Sequence, residues 1–182
     1  MFFKRWTTRK QDKSTPTATT TTQKTEVKAA TPETTYHHTT PVPQRPQIQA
    51  AIERGSFNIL YVEDDTNSRQ LMKMLYDGAS DNVIIWDDSD NFLTKLERLN
   101  PQPDIFLVDI HLPSISGVEI LQLLRTTSPY EDSVIVALTA SVTTQEVAEL
   151  RTAGFDSILS KPINTRLFQK TLKAICDGQT RF

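Results

Sequence analysis

Cysteine is nearly absent from this 182-residue chain. The single Cys176 excludes a disulfide framework and a cysteine-based zinc centre. Glycine is scarce too, at five, and none stands in a G-x-G-x-x-G or G-x-x-x-x-G-K-[ST] pattern. Dinucleotide and P-loop chemistry are thereby set aside. No apolar run approaches the ~18 residues of a transmembrane helix. The opening segment, Met1-Phe2-Phe3-Lys4-Arg5-Trp6, has neither a long apolar stretch nor a small-residue cleavage site, so it does not read as a secretory signal. A reducing, cytoplasmic location is the expectation. Concentrated positive charge is missing where a nucleic-acid binder would need it. The formal net charge of −2 averages two unlike parts: residues 1–54 carry nine Lys/Arg against four acids, and the remainder eleven against eighteen.

What is present divides at the same place. A length of 182 allows one domain with a sizeable appendage. Fourteen threonines precede residue 41, Thr19–Thr22 is a pure threonine run, and Pro41, Pro43 and Pro46 follow at close spacing. Such a segment buries too little apolar surface to offset the entropy of ordering. Residues 1–54 therefore read as a disordered, basic, Thr/Pro-rich tail, stiffer near Pro41–Pro46, with one or two helical turns allowed over 48–54. The paired His37-His38 reads as solvated. Phe2, Phe3 and Trp6 beside Lys4 and Arg5 form too short a segment for a stable membrane-surface helix.

From Phe57 onward, short apolar runs alternate with helical periodicity. The runs are Ile59–Val62, Val83–Trp86, Ile105–Val108, Val134–Leu138 and a weaker Ser157–Leu159. Runs without polar alternation suit strands of a parallel sheet buried on both faces. Between them, Phe92, Leu96 and Leu99 fall at i, i+4, i+7, as do Phe168, Leu172 and Ile175. Val118, Leu121 and Leu124 step by three, and 69–76 and 144–153 complete five helices. Gly154 suits a left-handed C-cap, and Asn164 suits the N-cap of the last helix. Trp86 and Cys176 read as packing residues. The fold expected over 55–182 is α/β: a five-stranded parallel sheet in the flavodoxin-like order 2-1-3-4-5, doubly wound by helices. In that order a ligand binds at the carboxyl ends of the strands beside the switch point between strands 1 and 3.

Those carboxyl ends carry the reactive residues. Strand 1 runs into Glu63-Asp64-Asp65, strand 3 into Asp109, strand 4 into Thr139-Ala140 and strand 5 into Lys161-Pro162. Clustered carboxylates repel unless a cation lies among them, and oxygen ligands in a half-open site favour Mg²⁺. A carboxylate is also a competent nucleophile toward phosphorus, and the charge it then gains needs a cation, an ammonium and a hydroxyl nearby. Lys161 and Thr139 have that chemistry. The Lys161–Pro162 bond is a candidate for the cis form. Each residue also has an ordinary use: the acidic trio can cap a helix, and Asp109, Thr139 and Lys161 can be a cap, a turn residue and an exposed charge. Their joint arrival at carboxyl ends points to a site.

At this point the chain resembles the receiver domain of two-component response regulators, of the stand-alone chemotaxis-regulator type. The resemblance spans about 57–178. It is carried by Ile59-Leu60-Tyr61-Val62-Glu63-Asp64-Asp65, Val108-Asp109-Ile110-His111-Leu112-Pro113 with Gly117, Leu138-Thr139-Ala140 and Ser160-Lys161-Pro162-Ile163. The separations of 30 residues from Asp109 to Thr139 and 22 from Thr139 to Lys161 match as well. The resemblance implies that Asp109 accepts a phosphoryl group from a phosphohistidine on a sensor kinase or phosphotransfer protein. Glu63, Asp64, Asp109 and the backbone carbonyl of His111 would hold Mg²⁺. Thr139 would bind a phosphoryl oxygen and Lys161 would pair with the phosphoryl group. The side chains at 111 and 141 would tune the phosphoryl lifetime. The expected output is a change of shape rather than turnover.

The 21 residues after Lys161 leave room for a last helix but not for a DNA-binding domain. A downstream protein would then be met on the face made by the fourth predicted helix, strand 5 and the fifth helix, which includes Glu146, Glu149, Arg151, Arg166 and Lys170. One departure stands out: where receivers often carry a switching Tyr or Phe, three residues before the lysine, this chain has Ile158. That leaves coupling by an aromatic rotation in doubt. It also motivates an alternative, a constitutive interaction module on the same fold with vestigial phosphorylation. A haloacid-dehalogenase-like phosphatase is disfavoured, because position 111, two after Asp109, is His rather than Asp.

Overall fold

Five of the apolar runs become five parallel strands, and the hydrogen-bonded neighbours run β2-β1-β3-β4-β5, as the sequence predicts. The structure is a computed structural model and describes residues 45–179. The elements are α1 (Pro46–Arg54), β1 (Asn58–Val62), α2 (Thr66–Tyr76), β2 (Asn82–Trp86), α3 (Phe92–Leu96), β3 (Ile105–Asp109), α4 (Gly117–Arg125), β4 (Val134–Thr139), α5 (Thr144–Ala153), β5 (Ser157–Ser160) and α6 (Phe168–Cys176). The tail reading for 1–44, with His37-His38 and the Phe2, Phe3 and Trp6 cluster, lies outside the described residues.

Alternate side chains of each strand leave the sheet on opposite faces, and each face has its own core. Leu60, Val62, Phe106, Val108, Ile135 and Ala137 pack with Phe92 and Leu96 of α3, Ile120, Leu121 and Leu124 of α4, and Leu150 of α5. Ile59, Tyr61, Ile105, Leu107, Val136 and Leu138 pack with Ile48 of α1, Met72 and Tyr76 of α2, and Phe168, Leu172 and Ile175 of α6. Strands β1, β3 and β4 are buried throughout. The edge strand β2 is only half-buried. Its unbroken apolar run therefore does not carry the two-faced burial expected of it, because one side has no neighbouring strand. Trp86 packs edge-on against Phe92, with ring centroids 5.4 Å apart.

The folded unit begins earlier than residue 55. Helix α1 forms with Pro46 in its first turn, where a missing N–H costs nothing. It buries Ile48 in the second core, and its Ala51 is fully buried as well. Arg45 pairs with Asp156 and donates 2.7 Å to the Ser133 carbonyl, while Arg54 pairs with Asp104 at 2.6 Å. Asp104, Ser133 and Asp156 precede β3, β4 and β5, so α1 is tied to the amino ends of the strands, away from their carboxyl ends. Only two of its apolar residues, Ile48 and Ala51, are buried, while Ile52 is exposed, so no clean period marks the helix.

Helix ends are partly as expected. Gly154 closes α5 in the left-handed region at φ 109°. Asn164 does not cap α6: its side chain accepts from the Arg166 N–H at 3.2 Å and opens a turn that precedes the helix, which starts at Phe168 with no side-chain cap. Helix α3 is short, and Leu99 packs on the core from beyond it. Cys176 is half-buried, and burial pushes its thiol up to about 12, consistent with a packing role.

Candidate functional site at the carboxyl ends of the strands

The parallel register brings four segments to one end of the sheet. Asp109 lies opposite Leu138, and Thr139 opposite Ser160. The ladder continues past the strands: the Glu63 N–H donates to Trp86 O at 3.1 Å, the Ile110 N–H to Leu138 O at 3.1 Å and the Lys161 N–H to Thr139 O at 2.8 Å. The Lys161–Pro162 peptide is cis. Residues that follow the last ladder bonds thus start from fixed positions.

The acidic trio separates into two tasks. Asp65 caps α2, its carboxylate accepting from the Ser68 N–H at 2.7 Å, and those bonds hold its carboxyl below the usual range. Glu63 and Asp64 turn to the site with Asp109. Among the described residues these three form the group whose ligand oxygens lie within 4.8 Å of one another; Glu63 and Asp109 are buried and Asp64 is exposed. Lys161 joins them, its Nζ 2.8 Å from Asp109 Oδ2 and 2.7 Å from Glu63 Oε2. Burial opposes the charge on Lys161, and the Asp109 and Glu63 carboxylates outweigh it, so its pKa is raised. Burial pushes the Glu63 carboxyl up, against the pull of Lys161 and Tyr61.

Three residues that the sequence reading did not assign to the site support it. The Tyr61 hydroxyl, buried in β1, donates to Glu63 Oε2 at 2.7 Å. Arg69 of α2 donates to the carbonyls of Glu63 at 2.9 Å and Asp64 at 2.6 Å, fixing the loop backbone. Glu146, expected on an output face, accepts the Thr139 hydroxyl at 2.9 Å. Thr139 is completely buried, yet its hydroxyl is bonded to α5 rather than to Asp109. Of these, only Tyr61 left a trace in the sequence, a hydroxyl two residues before a glutamate in a strand.

The loop after Asp109 is held from both sides. The His111 N–H donates to Asp109 Oδ1 at 3.2 Å, and the His111 side chain is exposed. Gly117 packs so closely that a Cβ there would stand 2.5 Å from the Asp109 carbonyl oxygen. Ser116 and Glu119 close a capping box at the start of α4.

Clustered carboxylate oxygens, with an ammonium alongside, thus stand at the switch point of a 2-1-3-4-5 sheet, the place where open α/β domains bind their ligands. The response regulator receiver domain family matches residues 59–173, and the chain belongs to that family. It is 31% identical over 111 residues to a cyclic di-GMP phosphodiesterase of Thermotoga maritima, covering 61% of this chain and 28% of that protein. It is 27% identical over 124 residues to the stress response regulator protein 1 of Candida dubliniensis, covering 67% of this chain and 43% of that one. The chain thus spans less than half the length of either relative. Its fold is similar to that of the Vibrio cholerae chemotaxis protein CheY4, with a TM-score of 0.60 at 25% identity, over 66% of this chain and 98% of that one. No helix among the described residues is long and apolar enough to cross a membrane.

Proposed function

We propose that this chain is a phosphoacceptor response regulator of a two-component or phosphorelay system, with Asp109 as the phosphoryl acceptor. The observation that carries this reading is the meeting of Asp109 with Glu63, Asp64 and Lys161 at the carboxyl ends of three strands.

An Asp109 carboxylate oxygen attacks the phosphorus of a phosphohistidine on a sensor kinase or phosphotransfer protein. The new O–P bond forms as the P–N bond breaks, and the donor's imidazole leaves. The all-oxygen donor set fits Mg²⁺, held by Glu63, Asp64, Asp109 and the His111 carbonyl. When bound, Mg²⁺ supplies positive charge against the phosphoryl oxygens. Lys161 keeps its ammonium beside the acceptor and pairs with the phosphoryl group after transfer. Tyr61 and Lys161 together orient the Glu63 carboxylate, and Arg69 holds the loop that carries it. The Thr139 hydroxyl moves to a phosphoryl oxygen in the active state.

The consequence is a shift between two conformations that differ in affinity for a partner protein, met on the α5–β5–α6 face. The domain acts in the cytoplasm as a signalling module without steady turnover. The test is labelling by a small acyl phosphate such as acetyl phosphate. The unchanged chain should label only with Mg²⁺ present, and Asp109→Asn should not label. Undiminished labelling of that variant would overturn the assignment.

A further inference from the structure

We propose that Glu146 is the positioning residue of the Thr139 hydroxyl: it holds that hydroxyl on α5 in the unphosphorylated domain, and its release carries phosphorylation of Asp109 into α5. The inference rests on the phosphoacceptor reading and extends it to the route of the signal.

The one proton of the Thr139 hydroxyl is engaged. The hydroxyl donates to Glu146 Oε1 at 2.9 Å and accepts from the Ser141 N–H at 3.1 Å. A hydroxyl has one proton to give. It cannot donate to Glu146 and to a phosphoryl oxygen on Asp109 together, so the two anions compete for it. Glu146 is a strong competitor, because a carboxylate acceptor makes a charge-assisted bond. Hydrogen bonds from Ser141 and Thr139 hold its carboxyl below the usual range, with His111 adding to the effect.

The position of Glu146 turns this competition into a mechanical link. Thr143 is the N-cap of α5, and its side chain accepts from the Glu146 N–H at 3.3 Å. Glu146 therefore sits in the first turn, and its bond to Thr139 ties that turn to the end of β4 across residues 140–143. A cavity of about 690 Å³ lies beside the bond, lined in part by His111, Val118, Ser141, Glu146 and Leu150. It gives the carboxylate room and solvent once the hydroxyl leaves. Such a tie also supplies what position 158 does not. Ile158 is 8% exposed and packed in the α3–α4–α5 core, with no hydroxyl to follow the threonine. Thr139 reaches α5 directly through Glu146.

The test is a double-mutant cycle in the full chain, reading affinity for the phosphoryl mimic beryllofluoride with Mg²⁺. Glu146→Ala should tighten binding about tenfold, the scale of one hydrogen bond to a charged group. Glu146→Gln, which keeps an acceptor, should gain less. In a Thr139→Ala background, Glu146→Ala should change nothing. An equal gain in both backgrounds would mean bare charge repulsion and overturn the inference. A second measurement needs no variant: amide exchange over 144–147 should quicken when beryllofluoride binds the unchanged chain, and unaltered exchange would equally overturn it. Binding with an additive cycle defeats this inference alone. No binding by the unchanged chain defeats the phosphoacceptor reading and this inference with it.

Discussion

The Lys161 ammonium stands 2.8 Å from Asp109 Oδ2, joining the end of β5 to the end of β3. The same Nζ reaches Glu63 at 2.7 Å, so one cation serves two buried carboxylates. Removing it leaves both without their ion-pair partner, which is far costlier than never having had the pair. Lys161→Ala should lower stability by about 2–4 kcal/mol in a chelator, read as a shift in the urea midpoint. Added Mg²⁺ should restore more stability to the variant than it adds to the unchanged chain, since it then faces carboxylates with no ammonium. An equal Mg²⁺ increment in both would mean that the acids do not share the cation.

Gly117 lets α4 approach the acceptor. A Cβ there would meet the Asp109 carbonyl oxygen at 2.5 Å and the Ile110 Cα at 2.9 Å, and these backbone atoms cannot swing aside as a flexible side chain would. Gly117→Ala should therefore displace the loop, at a cost of about 1–3 kcal/mol from overpacking. Its acetyl phosphate labelling should fall while Mg²⁺-free unfolding stays cooperative. Labelling at the unchanged rate would show that the loop absorbs the methyl without moving Asp109.

The sheet was legible because its central strands are unbroken apolar runs that alternate with helices, and the 2-1-3-4-5 order was expected from the flavodoxin-like pattern rather than fixed by that alternation. Glu63, Asp64, Asp109 and Lys161 were legible because strand ends converge in a parallel sheet whatever their side chains do next. The direction of the Thr139 hydroxyl was not, since it depends on a partner seven residues away in a different element. Arg69 was hidden for a similar reason: it acts on carbonyls, which leave no mark in sequence. Helix α1 was legible only as one or two turns over 48–54 within the tail, because only Ile48 and Ala51 face the core, and the ion pairs of Arg45 and Arg54 that tie it to the domain reach Asp156 and Asp104, far along the chain.

That helix changes where the domain is cut. Ile48 is 4% exposed, and Ile48→Ala should cost about 2–4 kcal/mol as a buried large-to-small change. Deleting residues 1–54 should cost at least as much, because it also strips Arg45 from Asp156 and Arg54 from Asp104. Deleting only 1–43 spares every one of these contacts, so the urea midpoint should separate the two truncations. Matching midpoints would mean that α1 contributes nothing to the folded unit.

The capping box at α4 gives a pH dependence with a definite sign. Ser116 donates to Glu119 from its hydroxyl at 2.7 Å and from its backbone N–H at 2.9 Å. These bonds hold the Glu119 carboxyl below its ordinary value of 4.5. Between the depressed and ordinary values the unfolded chain binds more protons, so stability rises with pH there. The contribution is fully present above the ordinary value and is lost as pH falls through the depressed one. Glu119→Gln should be less stable than the unchanged chain near neutrality, and the gap in urea midpoint should close as the solution is acidified below about pH 4.5. Asp65, Asp88 and Glu146 are held low as well, so both chains should weaken in acid. The difference between them isolates Glu119, and a gap that stays constant down to pH 3 would deny the box its ionic part.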